Sequence, residues 1–328
     1  MNGNVLVAGE TLIDFLPDRP GPLSSLDAFE RRPGGAPANV AVALSRLERQ
    51  PLFWTRVGDD PFGRYLEGVL ANEGLAQTFV ERDPSAKTTL AFVTHDEAGD
   101  REFSFYRDGT ADTRMVLGTV PDEVLADCAW VHAGGVTLAS GRSRPATIDL
   151  LERAARAGCI VSFDSNYRPE LWTDASVYRR IAREAVTHAT VLKATQAELE
   201  TLGFAGDSTL SLARDALEAG PDVVFCTRGR AGALAIAADD EVDGSPGRLP
   251  WSGVAGHDGF DVEVADATGA GDAFIAGAIA AAVEGRDLNE TVAFANAVAA
   301  SATTRAGAMA GLPDRERVES LIATEKLS

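Results

Sequence analysis

Short apolar runs and amphipathic stretches alternate along this chain. Residues 5–8, VLVA, form an apolar run that predicts a buried strand. ETLIDFLP follows, alternates apolar with polar, and stops at Pro17. PGGAPANVAVALSRLE predicts a glycine turn opening into a helix, with Ala38, Val42, Leu44 and Leu47 at helical spacing. PLFWTRV predicts the next strand, and DPFGRYLEGVLANEG a helix ended by Gly74. Further on, AWVHAGG, CIVSFDSN, TVLK, PDVVFCTRG and AGALAIA predict strands, while RPATIDLLERAARAG, residues 177–187 and QAELETLG predict helices. Helices at 272–284, 288–303 and 314–322 close the pattern. One patch breaks the rhythm: TTLAFVTHD and REFSFYRD read as short strands joined by EAGD, a hairpin-type connection.

Strands alternating with helices predict an α/β fold with a central, mostly parallel sheet flanked by helices on both faces. The hairpin patch predicts a small β-sheet lid drawn from about 11–33 and 88–110, inside a single domain covering 1–328. In such sheets ligands bind beyond the carboxyl ends of the strands. Gly34, Gly35, Asp164, Asn166, residues 227–229 and residues 269–272 are expected there.

Composition narrows the function classes. Of 328 residues, 45% are hydrophobic, which supports a large core and argues against disorder. No apolar run reaches the roughly 18 residues a membrane span needs. The N-terminal MNGNVLVAGE does not have the form of a secretory signal. Cys128, Cys159 and Cys226 stand far apart in apolar contexts and are expected to be buried free thiols, which suits a cytoplasmic protein. A net charge of −19 argues against nucleic acid as a partner. Lysine occurs at Lys87, Lys193 and Lys326, and arginine supplies the other basic residues. That acidic balance fits adaptation to concentrated salt, where screening removes self-repulsion, as well as it fits ordinary codon bias. His95, His132, His188 and His257 have no metal-ligand spacing and are expected to be structural or surface groups.

The chemistry concentrates in DATGAGDAF, residues 266–274, which runs straight into the apolar IAGAIAAAV. A helix start leaves backbone N–H groups unpaired, and with the helix dipole they attract an anion. Gly269, Ala270 and Gly271 add almost no bulk and let a phosphoryl group approach. Asp272 in the first turn is placed to accept a proton from an attacking hydroxyl. A capping role for Asp272 is the plainer reading of the turn taken alone. GGAPAN at 34–39 is a second glycine turn before a helix and ends in Asn39, while Asp14 is a carboxylate in an otherwise apolar strand. Amides and carboxylates on separate loops suit a ligand rich in hydroxyls. Neither GxxxxGK[ST] nor a GxGxxG after the first strand occurs, which excludes a P-loop enzyme and disfavours a Rossmann dehydrogenase.

Taken together, these segments resemble the PfkB (ribokinase-like) family of carbohydrate kinases. PGGAPANVAVALSRL with VGDDPFG resembles its N-terminal signature, and DATGAGDAFIAGAI its C-terminal one. CTRGRAGALAI and FANAVAASATTRAGA resemble its nucleotide-side segments. The resemblance implies a ribokinase-like fold, ATP with Mg²⁺, and transfer of the γ-phosphoryl group to a sugar hydroxyl. It makes Asp272 the base and Gly269, Ala270 and Gly271 the anion hole. It puts Asp14, Gly34, Gly35 and Asn39 on the sugar, and Lys193, Thr227, Gly229, Gly232 and Asn296 on the nucleotide. Glu198 would act near the magnesium, through water. Asp266, Thr268, Ala302 and Gly307 match positions around a monovalent cation, K⁺, in some members. A homodimer through the lid is also implied.

Three positions depart from the family pattern. Thr195 replaces the asparagine of Asn-x-x-Glu, although Glu198 remains. Ala267 stands where a Thr, Ser, Pro or Val is common, and SRLERQ does not have the usual glycine after its helix, so that turn is expected to close differently. Within the family GETLIDFLP, TTLAFVT and FYRDGTAD resemble fructokinases most. DSNYRPELW and FYR are shared with 2-keto-3-deoxygluconate kinases, whose substrate carboxylate Arg107 and Arg168 would suit. A ribokinase or nucleoside kinase, and a non-catalytic sugar-binding protein on this fold, are the remaining alternatives.

Overall fold

The computed structural model describes residues 3–95, 101–239 and 246–325. EAGD, Lys326 and the side chain of His95 lie outside the described residues. The strands, in chain order, are β1 (Asn4–Ala8), β2 (Leu12–Pro17), β3 (Phe29–Gly34), β4 (Leu52–Gly58), β5 (Val80–Asp83), β6 (Leu90–His95) and β7 (Arg101–Tyr106). They continue with β8 (Cys128–Gly134), β9 (Ile160–Asp164), β10 (Val191–Thr195), β11 (Val223–Thr227), β12 (Ala233–Ala237) and β13 (Gly253–His257). A nine-stranded sheet has the order β13-β12-β11-β10-β9-β8-β1-β4-β5. It is parallel from β5 to β11, and β12 and β13 add to that edge antiparallel.

Alternation along each strand divides the core between the sheet's faces. Val5 and Val7 join a cluster with the helices Ala36–Arg46, Ala270–Val283 and Leu288–Thr303. Leu6 and Ala8 join one with Ser143–Arg156, Ala175–Val186 and Thr209–Leu217. This is the two-sided burial that near-continuous apolar strands require. The Ala270–Val283 helix is buried from Asp272 to Val283. It has no amphipathic stripe because it has no solvent face.

A separate four-stranded sheet, β3-β2-β6-β7, stands beside the main one. β2 pairs antiparallel with β3 and parallel with β6, and β6 pairs antiparallel with β7. The lid is expected from about 11–33 and 88–110; β2, β6 and β7 lie inside those segments and β3 runs one residue past the first, to Gly34. The pattern of apolar residues does not announce β3, β5 or β13. FERRPG is charged and holds a proline, VERD is short and charged, and GVAGH is glycine-rich.

The turn after Arg46 closes by left-handed geometry, contrary to the expectation from its missing glycine. Glu48 takes φ 64° in the glycine's place. Arg49 N then donates to Leu44 O at 2.8 Å, which ties off the helix end. The three cysteines are buried and free, and burial pushes the Cys128 thiol up to about 12 and that of Cys226 to about 11. His132 is buried against Ser162 and is pushed down to about 3, so it stays neutral. Among the described residues no helix is long and apolar enough to cross a membrane.

Candidate active site

Two glycine turns converge at the carboxyl ends of the central strands. Gly269 has φ 79°, a left-handed conformation that launches the Ala270–Val283 helix without a side-chain cap. Because that helix is enclosed, its first-turn acid is carried inside: Asp272 is 9% exposed. Gly35, with φ 104°, launches the Ala36–Arg46 helix, again without a local cap. Asn39 is one turn in, and its Nδ2 donates to Asp272 Oδ2 at 2.8 Å. A hydrogen bond between residues 233 positions apart joins the two signatures.

The charge around Asp272 comes from the strand ends. Lys193 on β10 lies opposite Asp164 on β9, and its Nζ sits 2.9 Å from Asp164 Oδ2. A Cβ on Gly271 would lie 2.9 Å from Lys193 Nζ, so the bare glycine lets this cation approach the helix start. Burial pushes Asp272 up to about 6; Asn39, Lys193 and Arg168 oppose it, and Asp164 adds to it. Burial likewise lifts Asp14 to about 7 against the pull of Arg168. Both acids are thus held near neutrality, the range in which a carboxylate exchanges protons with a ligand. Burial favours neutral Lys193, but Asp164 and Glu198 outweigh it and keep the ammonium.

These groups line a cavity of about 350 Å³. Asp14, Gly35, Asn39, Arg168, Lys193, Glu198, Thr268, Gly269, Gly271 and Asp272 are among the residues of its wall. Gly34 stands behind Asp14, where a Cβ would lie 2.0 Å from Oδ2. Thr195 turns its departure from the family pattern into a capping box. It accepts from Glu198 N, and Glu198 Oε2 accepts from Thr195 N at 2.8 Å. Glu198 Oε1 accepts from Tyr167 N at 2.9 Å. Burial disfavours the Glu198 charge, but Lys193 and these N–H groups hold its carboxyl below the usual range.

Other expected site residues lie away from this lining. Arg107 Nε donates to Asp112 Oδ2 at 2.6 Å inside the protein. Thr227 ends β11, and Gly229 opens the turn that follows it. Gly232 is required by the backbone, because a Cβ would lie 1.9 Å from His257 O. Asn296 Nδ2 donates to Val292 O at 2.8 Å, within its own helix. Asp266 accepts from Thr268 N and from Gly307 N, both at 2.9 Å, so three of the four residues expected around a cation meet. Ala302 lies on the adjoining helix, its carbonyl close to Gly311.

The cavity also holds Glu10, Phe103, Phe105 and Val136, which the sequence reading left without a role, and Asn166, which it expected at the strand ends without assigning it a contact. Glu10 carries a signal, an acid two residues beyond a buried strand. Asn166 has φ 35°, which side-chain patterns do not reveal.

The model of the pfkB family carbohydrate kinases matches residues 2–315. A fructokinase of Vibrio alginolyticus is 34% identical over 318 residues, 94% of this chain and 95% of its own. The crystal structure of a fructokinase from Xylella fastidiosa with bound ATP superposes with a TM-score of 0.86 at 30% identity, covering 99% of this chain and all of that one. A fructokinase double mutant from Vibrio cholerae O395, in its fructose-, ADP- and potassium-bound form, gives 0.81 at 30% identity, covering 97% and 98%. An enclosed aspartate at a glycine-initiated helix, clamped by the asparagine of a second glycine turn, is therefore found in a chain that belongs to the pfkB family of carbohydrate kinases.

Proposed function

We propose that this protein is an ATP-dependent fructokinase working in the cytoplasm. The observation that carries the reading is the Asn39–Asp272 pair. It fixes a buried carboxylate at a helix N-terminus, on the wall of a cavity that Asp14 also lines. The sugar is held by Asp14, Asn39 and Arg168, with Gly34 and Gly35 bringing the backbone close. Asp272 takes the proton from the attacking hydroxyl, and Asn39 holds its acceptor oxygen in place. The N–H groups of Gly269, Ala270 and Gly271 meet the charge on the transferring phosphoryl group, and Lys193 reinforces them from the next strand. ATP lies toward Thr227, Gly229 and Asn296. The small sheet covers the sugar and excludes water as a competing acceptor.

Mg²⁺ fits the donor set through water: both Glu198 oxygens already accept N–H groups, and the carboxylate stays charged beside the cavity. The ion would screen the repulsion between phosphates and carboxylates. Asp266, Thr268, Ala302 and Gly307 would border a K⁺ site. A homodimer through the small sheet goes with this reading.

A second substrate keeps one observation in its favour. Arg168 lines the cavity and would grip the carboxylate of 2-keto-3-deoxygluconate. Against it, the second arginine such a substrate would use, Arg107, is not among the residues lining the cavity, and its Nε is held by Asp112. ADP release measured with ATP, Mg²⁺ and fructose, 2-keto-3-deoxygluconate, ribose or adenosine separates the readings. Fructose should be turned over fastest, and turnover confined to the keto acid would replace the substrate assignment.

A further inference from the structure

The roles assigned so far leave Glu10 without a task. It follows β1, is 1% exposed, and lines the cavity. Its Oε1 accepts from Ala36 N at 3.3 Å, which supplies from a distance the cap that the Ala36–Arg46 helix does not have locally. Among the described residues its Oε2 is buried and has no hydrogen-bond partner. Arg107 stands close enough for its charge to act on Glu10, yet its Nη1 and Nη2 are also buried without partners. The guanidinium is fixed through Nε to Asp112 Oδ2, and Asp112 Oδ1 accepts from Thr110 Oγ1 at 2.8 Å and from Thr89 Oγ1.

A buried carboxylate oxygen without a donor is destabilising by about 1–3 kcal/mol, more when charged. Glu10 lines the cavity, so a ligand there can supply the donor that its Oε2 does not receive. A sugar hydroxyl brings one proton to give and lone pairs to receive. We propose that Glu10 is a sugar-binding residue whose Oε2 accepts a hydrogen bond from one hydroxyl of the acceptor sugar, with Arg107, fixed by Asp112, as the positioning residue that supplies its counter-charge. This rests on the sugar-kinase reading and adds a specificity element to it: a sugar without that hydroxyl leaves the oxygen stranded.

Protonation provides the signature. Burial pushes Glu10 up to about 8, Arg107 opposes this, and Asp112 and Asp272 add to it. The other charged groups lining the cavity are Asp14, Arg168, Lys193 and Glu198. Their titration affects a sugar and its deoxy analogue alike, so it cancels when the two kcat/KM values are divided. What remains is the strengthening of one hydrogen bond as Glu10 ionises.

The test measures kcat/KM for the accepted sugar and each of its monodeoxy analogues between pH 6 and 9, in wild type, Glu10→Gln and Arg107→Gln. Glutamine keeps an acceptor for Ala36 N, so the helix start survives. For one analogue, wild type should discriminate roughly tenfold more at pH 9 than at pH 6, about 1.4 kcal/mol. That rise should vanish in Glu10→Gln and move to higher pH in Arg107→Gln. Discrimination that is independent of pH for every analogue, or unchanged in Glu10→Gln, would overturn the proposal. Fructose turnover by the wild type in the same assay reports on the fructokinase reading separately, and if another sugar is accepted the ratio is taken on that sugar.

Discussion

Adding one methyl group at Gly34 tests the sugar site without touching any group that contacts ATP. Gly34 ends β3 and pairs with Leu12 of β2. Its φ lies outside the left-handed region, so alanine suits the backbone. The added Cβ, however, would lie 2.0 Å from Asp14 Oδ2 and 2.8 Å from its Cγ. Atoms do not share that space, so the half-buried Asp14 carboxylate must leave its present position. A hydroxyl hydrogen bond to a charged acceptor contributes about 1.5–3 kcal/mol. Its loss should raise the KM for the sugar roughly ten- to hundredfold in Gly34→Ala, with the KM for ATP within about twofold. Gly35→Ala is the contrast. There the Cβ would meet the Glu10 carbonyl at 2.5 Å at φ 104°, a backbone collision that no rotamer relieves. That variant should lose stability and activity together. The assay is steady-state ADP release at pH 8, where Asp14 is ionised, alongside a thermal melt. A sugar KM within about twofold of wild type in a folded Gly34→Ala protein would refute Asp14 as a sugar ligand.

Other perturbations separate base, metal and scaffold. Asp272→Asn should lower kcat by about 10²–10⁴, and wild-type kcat/KM should fall as pH drops through about 6, where the base protonates; a flat profile down to pH 5 would count against this role. Thr195→Ala removes one side of the capping box and should lower stability by about 1 kcal/mol, read from the denaturant midpoint, while raising the Mg²⁺ concentration needed for half activity. Glu48→Gly should raise stability by about 1 kcal/mol, because glycine occupies φ 64° without strain and the ion pair lost to Arg315 is a long, exposed 3.6 Å contact. Glu10, Asp14 and Asp272 have folded pKa values of about 8, 7 and 6, above those of the unfolded chain. Their stabilising contribution is present below about pH 4 and is lost as pH rises through the folded values. The ligand-free protein should therefore melt lower at pH 8 than at pH 5.5.

Much of this was legible in the sequence because the decisive residues are local in sequence as well as in space. Gly269, Ala270, Gly271 and Asp272 are consecutive, and a glycine turn before an apolar run is a pattern of composition and period. The helices and parallel strands show themselves through periodicity, since each buries a face or two. What stayed hidden depends on contacts between distant segments. β3 forms from FERRPG because β2 offers it a partner, not because its residues favour a strand. Glu48 adopts a glycine's conformation because the Arg49–Leu44 bond and the packing around it outweigh about 1 kcal/mol of strain. The pairing of Asn39 with Asp272, and the missing partners of Glu10 and Arg107, exist only once segments far apart in the chain are brought together.

The small sheet is wired into the candidate site by covalent continuity. β3 runs into Gly34 and Gly35, the next residue opens the Ala36–Arg46 helix, and Asn39 on that helix grips the carboxylate of Asp272. Any displacement of the cover must be absorbed by those two hinge residues or passed on to the amide. If Asp272 is the base and the small sheet the cover, as proposed, arrival of the acceptor and arming of the base would be mechanically joined, and a cover caught half-shut would leave the phosphate donor facing an unaimed carboxylate.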